Sequence, residues 1–240
     1  MLLQCGSEAA NAAGEARRTF SWLRPETLET LAELNELGLT LLVQEATLQG
    51  ALHGVHAPPL LRELGALGGK LDPQALRRAA ACPCLLLDAG FADAARWRPA
   101  PWGQVGDAGA SGASGGFFTL PATVEVARLV LTFAWHLART EVPAARLLLG
   151  MPPACAASIG ALTLRRIYAL AERYPHWLRP RWAGRPQVWR ELLAAAHAGE
   201  PRPLEQAHMR GLTLLAAEVR AAAVLAPPAA TPRASVPRLT

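Results

Sequence analysis

The sequence predicts an all-α fold: two bundles of short helices in one chain, packed on each other as an intramolecular pseudo-dimer. Three observations carry this reading. Apolar residues recur at three- and four-residue steps, the period of a helix face, and no segment alternates like a strong strand. Pro, Gly, Asp and Thr fall where helices start and stop. The order of these signals in 147–182, LLLGMPPACAASIGALTLRRIYALAERYPHWLRPRW, also returns more weakly in 52–91. Helices this short are stable only when packed together.

Residues 1–19 are small and polar, which predicts a disordered tail. A first unit is expected over 20–97. Its first helix opens at Pro25, where Pro at a helix start costs nothing, and Glu26 and Glu29 complement the positive helix end. Leu28, Leu31, Leu34, Leu37 and Leu41 mark the buried face, with Glu29, Glu33 and Glu36 between them. The helix is expected to reach Leu52, with a break near Glu45–Thr47, and Gly54 stops it. Pro58 and Pro59 start a short helix to Leu67, ended by Gly68 and Gly69. Asp72 and Pro73 read as N-cap and first-turn residue of a helix to Ala81. Leu85–Leu87 is a short apolar piece of undefined type. Residues 98–118, RPAPWGQVGDAGASGASGGFF, form a linker rich in Gly, Ser, Ala and Pro. It is long enough that the two halves need not be neighbours.

A second unit is expected over 119–226. It restarts at Pro121, and Val126, Leu129, Val130, Phe133 and Leu137 share one helix face. That helix continues, bent at Pro143, to Leu149, and Gly150 closes it. Pro152–Ala161 is a short helix, and Thr163 caps another that runs to Arg173. Pro175, Pro180 and Pro186 break the segment after it. Val188–Ala198 and Leu204–Leu225 are two further helices, separated by Gly199, Pro201 and Pro203. Residues 227–240 form a Pro-rich flexible tail.

The duplication can be laid out by residue. With Gly54 on Gly150, Glu45 falls on Glu141 at an offset of 96, with long apolar helices behind both. With Leu71 on Leu162 the offset is 91, so the first copy carries five extra residues around Leu64–Lys70. Gly, Pro and insertion positions agree as well as apolar ones, which argues against chance similarity of Ala- and Leu-rich helices.

Composition narrows the function. The 240 residues are 51% hydrophobic, enough for one core or two small ones. The run Leu147–Leu164 has the length of a membrane span, yet Gly150, Pro152, Pro153 and Gly160 interrupt it, so two short buried helices are expected. The first residues carry no basic start and no apolar run of signal-peptide length, which predicts the cytoplasm. Cys5, Cys82, Cys84 and Cys155 suit that compartment as buried free thiols, because a C-x-C pair lacks common zinc or redox spacing. Residues 1–120 carry eight Arg and one Lys against twelve acids, and residues 121–240 carry fifteen Arg against seven. The basic second half favours an anionic partner, or a complex containing one.

The candidate contact residues are Arg165 and Arg166 at the start of one helix, and Arg179, Arg181 and Arg185 in the Pro-broken segment beyond it, interleaved with Trp177 and Trp182. One reading is phosphate positioning on DNA or contact with an acidic partner; the other is a solvated basic face. Arg165 and Arg166 oppose the helix dipole, which points towards an outside partner. The chemistry of catalysis is not evident. Ser158 has no G-x-S-x-G context, GASGASGG is not a strand-to-helix turn, and His53 and His56 have no third ligand. No cofactor or metal is expected. The tryptophans read as anchors of the core or of the face between the units, with Trp97 and Trp102 exposed beside the linker.

The stretches LLLGMPPACAASIGALTLRRIYALAERYPHWLRPRW and LEQAHMRGLTLLAA resemble the FlhD family, a subunit of the flagellar master transcriptional activator. The family shows a long helix ending in a Leu-Gly-Ile type turn, an acidic Ala-rich short helix, an Ala-Leu-Thr/Ser helix start, and a Gln-x-His element that opens its last helix, here Gln206-Ala207-His208. The first half is similar over LVQEATLQGALHGV and LDPQALRRAAACPCLLLDAGF. It departs by its insertion and by lacking the last two helices. The second half departs at Pro152, Pro153, Pro175 and Pro180, and at Trp177 and Trp182. The resemblance implies a non-enzymatic, all-α regulator of flagellar and motility genes that acts with an FlhC-like subunit and reaches promoter DNA through that complex. In the family the partner carries the zinc site. A tandem would replace a homodimer by an intramolecular one. The alternative is a diverged helical protein–protein adaptor without DNA-linked function.

Overall fold

The structure is a computed structural model and describes residues 23–53, 56–68, 71–97 and 116–225. The expected tails at 1–19 and 227–240, residues 98–115 of the linker, and Cys5, Trp22, Gly54, Gly69, Lys70 and Trp102 lie outside the described residues.

Helix α1 (Pro25–His53) buries Leu31, Leu34, Leu39, Leu41, Leu42 and Ala46. The break expected near Glu45–Thr47 is absent. Thr47 turns its hydroxyl back to the Val43 carbonyl at 2.9 Å, and the Glu45 carboxylate accepts from the Gln49 side chain one turn on and from Thr119 beyond the helix, so neither takes a backbone N–H from the α1 ladder. Helix α2 (Pro59–Gly68) buries Leu60, Leu61 and Leu64. Helix α3 (Pro73–Ala80) is capped as its sequence indicates: the Asp72 carboxylate accepts from the Ala75 N–H at 2.6 Å.

The chain after α3 is laid along α1 by one buried side chain. The Asn35 amide donates to the carbonyls of Ala80, Cys82 and Cys84 at 3.0–3.2 Å, and its oxygen accepts from the Leu86 N–H at 2.8 Å. Gly38 lets that chain approach, since a Cβ there would stand 2.8 Å from Leu87 Cδ1. The apolar piece then becomes a strand, β1 (Leu87–Asp88).

In the second half α4 (Ala122–Thr140) buries Val126, Val130, Phe133 and Leu137, while Leu129 is partly exposed. The expected bend at Pro143 is a true break. Glu141 leaves the helical region at φ −142°, ψ 63°, and α5 (Val142–Leu149) starts afresh with Pro143 in its first turn. Gly150 ends α5 at φ +66°, where a Cβ is disfavoured. Helix α6 (Pro153–Gly160) follows after a 117° turn and packs Cys155, Ala156 and Ile159 inward. Among the described residues no single helix is long and apolar enough to cross a membrane. Thr163 caps α7 (Leu164–Arg173) by accepting from the Arg166 N–H. A 3-10 turn (Pro175–Trp177), strand β2 (Arg179–Pro180) and α8 (Pro186–Ala198) come next. The last helix, α9 (Pro201–Leu225), begins three residues before the expected Leu204. Pro201 and Pro203 both fit in its first turn, where N–H groups have no intrahelical partner.

The molecule is mostly helical. Helix α1 packs on α2 and α3, and α4 packs on α6 and α7. The halves then join: α1 lies against α4, α8 crosses onto α2 and α3, and α9 covers α8 and α5. Strands β1 and β2 pair antiparallel, Leu87 with Pro180 and Asp88 with Arg179. One hydrophobic core runs through both halves. The linker would allow the halves to lie apart, yet they share this core. The last residues assigned to the linker are also built in, with Phe118 buried in that core.

Candidate functional site

The five candidate arginines are not gathered into one cluster. Arg165 and Arg166 stand at the start of α7, which packs along α4: the Trp135 indole N–H donates to the Leu162 carbonyl at 2.7 Å, and Arg128 lies 5.5 Å from the Tyr168 ring centre. Arg165 is exposed and Arg166 half-buried. Nearby, the Arg139 guanidinium lies 4.9 Å from the Trp135 ring centre and adds a cation that sequence reasoning passed over. Arg185 is exposed just before α8. The ten residues of α7 put about 15 Å between Arg165 and the segment that carries the other three.

Arg179 is exposed but engaged. Its Nε and Nη2 both reach Asp88 Oδ2 at 3.3 Å, fastening β2 to β1 across the two halves. Arg181 departs from the sequence expectation: it is only 5% exposed and is turned inward. Its guanidinium donates to the carbonyls of Leu85 at 3.0 Å and Leu149 at 2.9 Å, and to Glu218 at 3.3 Å, with Asp88 at 3.8 Å. A buried guanidinium needs this many acceptors to offset lost hydration, so Arg181 has no fork left for a phosphate. Burial alone would raise the Asp88 carboxyl, but Arg181 and Arg179 outweigh it and hold it below the usual carboxylate range.

The aromatics between these arginines are structural. Trp177 stacks on Tyr174 at 4.5 Å and meets Trp97 edge-on at 5.8 Å, while Arg96 sits 4.9 Å from its centre. Trp97, expected to be exposed, is buried and donates its indole N–H to the Gly90 carbonyl at 2.8 Å. Residues 89–97 fold back onto the core before the described chain ends, which brings the ring inside. Trp182 is buried at φ +55°, unusual for a residue with a Cβ, and the turn into α8 places it there.

Cys82 and Cys84 are buried free thiols with sulfurs 3.5 Å apart. The contact with Cys84 and then burial push the Cys82 thiol well above its ordinary range. His208, in the Gln-x-His element, is held down to about 4 by burial and is neutral at pH 7. Among the described residues no three His, Cys, Asp or Glu side chains converge as metal ligands.

Sequence reasoning also missed the tie between Glu45 and the start of the second half. The Glu45 carboxylate, fully buried, accepts from the Thr119 N–H at 2.9 Å, the Thr119 hydroxyl at 2.7 Å, the Leu120 N–H at 3.3 Å and the Gln49 amide at 2.9 Å. Burial raises its pKa, and these hydrogen bonds bring it below the ordinary value. On the second half, Glu141 pairs with Arg24 at 3.1 Å, just before α1. Compared with protein-family models, curated proteins and solved structures, the chain matches none.

Proposed function

We propose that this chain is an FlhD-like regulator subunit whose two units pack as a pseudo-dimer, and that it acts without catalysis, in complex with an FlhC-like partner, on promoter DNA of motility genes. The observation that carries the reading is a reciprocal pair of ties. Glu45 of the first unit holds Thr119 and Leu120 before α4, and Glu141 of the second holds Arg24 before α1. Glu45 and Glu141 are 96 residues apart, as are Arg24 and Leu120. In a twofold assembly a contact between i and j is matched by one between j and i. The element order agrees: in each half a long helical stretch is followed by two short helices and a strand, and the two strands pair antiparallel.

Under this reading Arg165, Arg166 and Arg185 are the arginines placed for phosphate or an acidic partner, while Arg179 and Arg181 join the units. The test is co-purification with an FlhC-like subunit, followed by a promoter mobility shift over rising salt. Retention that falls steeply with salt, and less steeply in Arg165→Ala and Arg185→Ala, supports the reading. Retention indifferent to salt sinks the phosphate contacts. A monomeric mass for the isolated chain supports the fused dimer. The second reading, an adaptor that binds protein without DNA, is favoured by the inward use of Arg181 and the pairing of Arg179. Partner binding with no promoter retention selects it.

A further inference from the structure

We infer that the cleft between α1 and α4 is a docking groove for a basic amphipathic helix of a separate protein. The cleft has a volume of about 520 Å³ and runs between the two long helices. Its apolar surface comes from Leu34 and Leu37 of α1 and Leu129, Phe133 and Trp135 of α4, beside threonines 27, 30 and 132. Leu37 and Leu129 are 42% and 39% exposed, two large aliphatic side chains on opposite walls of the opening. The Thr132 hydroxyl in the α4 wall is buried with no hydrogen-bond partner. Elsewhere on α1 and α4, threonines 30, 40, 47 and 140 return their hydroxyls to the preceding turn, while the Thr123 hydroxyl, outside the cleft, is also buried without a partner.

Length and charge define the occupant. The α1 wall extends from Glu26 to Leu37, about 17 Å, which fits three turns of a helix with its apolar stripe at i, i+3/i+4 and i+7. Glu26 and Glu33 stand on the rim seven residues apart, two turns on the same side, and both are exposed. At the Glu26 end Glu141 pairs with Arg24. The lining thus carries three carboxylates, Glu26, Glu33 and Glu141, against one guanidinium, Arg24, and one imidazole, His136, and Glu26 and Glu33 stand at a spacing that a helix with Lys or Arg at i and i+7 would match. A neutral or acidic helix would bury the same leucines but leave these charges opposed. This groove borders the arginine region at Trp135, whose ring also carries Arg139, but none of Arg165, Arg166, Arg179, Arg181 and Arg185 lines it.

The experiment uses the full chain and two labelled synthetic helical peptides of about 14 residues, sharing one Leu stripe and flanked by either Lys or Glu at i and i+7. Fluorescence anisotropy reads binding, and circular dichroism checks that each variant is folded. The Lys peptide is expected to bind at least tenfold more tightly than the Glu peptide. Leu37→Asp and Leu129→Asp each weaken it at least tenfold. Glu26→Lys with Glu33→Lys, both at exposed positions and with circular dichroism confirming that α1 is intact, reverses the preference. Equal binding of both peptides, or affinity unmoved by the leucine variants, overturns the proposal. So does self-association of the chain that Leu37→Asp abolishes, since the groove would then belong to a second copy.

Discussion

Removing the Glu45 carboxylate tests the joint between the halves most directly. In Glu45→Ala the Thr119 and Leu120 N–H groups at the start of α4 lose their acceptor, as do the Thr119 hydroxyl and Gln49. An orphaned donor costs about 1–3 kcal/mol, and two backbone donors at a partly buried site bring the loss to about 3 kcal/mol. Glu45→Gln keeps one acceptor oxygen and loses the charge, so about 1–2 kcal/mol is expected. The pH dependence has a fixed sign. Burial raises the folded pKa of Glu45, but the hydrogen bonds from Thr119, Gln49 and Leu120 carry it below the 4.5 of a free glutamate. A depressed pKa gives stability that is fully present above the unfolded value and is lost as pH falls through the folded one. Urea unfolding at pH 7 should therefore separate wild type from Glu45→Gln, and the gap should narrow as the pH is lowered below about 4.5. A gap that stays constant down to about pH 3, or no gap at pH 7, would refute the claim that an ionised Glu45 joins the halves.

Three other outcomes are expected. Gly150→Ala should cost about 2–3 kcal/mol, because φ is +66° and the new Cβ would stand 2.5 Å from Leu215 Cδ1; Gly50→Ala, with open space around it in α1, should stabilise by up to about 1 kcal/mol, and thermal melts compare the two. Arg181→Met should destabilise by about 3–5 kcal/mol in urea titrations, since it orphans the Leu85 and Leu149 carbonyls and strips Asp88 of one of its two cations. Cys82, Cys84 and Cys155 should resist alkylation in the native protein at pH 8, the last being pushed up to about 11 by burial. Peptide mapping by mass spectrometry should find label on these three only within the unfolding transition.

Much of the helical layout was legible because its determinants are local. Asp72 caps three residues ahead, Thr163 does the same, and Gly150 takes the left-handed turn that its position after an apolar run implies. What escaped depends on partners far along the chain. Nothing distinguishes Arg181 from Arg179 or Arg185 in sequence; only the placement of Leu85 and Leu149 makes one of them a buried bolt. The strand at Leu87 exists because Pro180 lies beside it. Asn35 was within reach. It falls one turn from both Leu31 and Gly38 on the buried face of α1, and a polar side chain there announces a buried hydrogen-bonding role. Trp97 misled because the neighbouring Gly- and Pro-rich composition suggested solvent, while its indole was needed inside.

The pairing of β1 with β2 has a consequence for biosynthesis. Leu85 waits for Arg181, 96 residues downstream, before its carbonyl is satisfied. At translation rates of about 5–20 residues per second, the apolar ribbon Leu85–Leu87 spends roughly 5–20 s on the ribosome without its final cover. A nascent chain stalled within α7 would present that ribbon, edge unpaired, to chaperones and to other nascent copies.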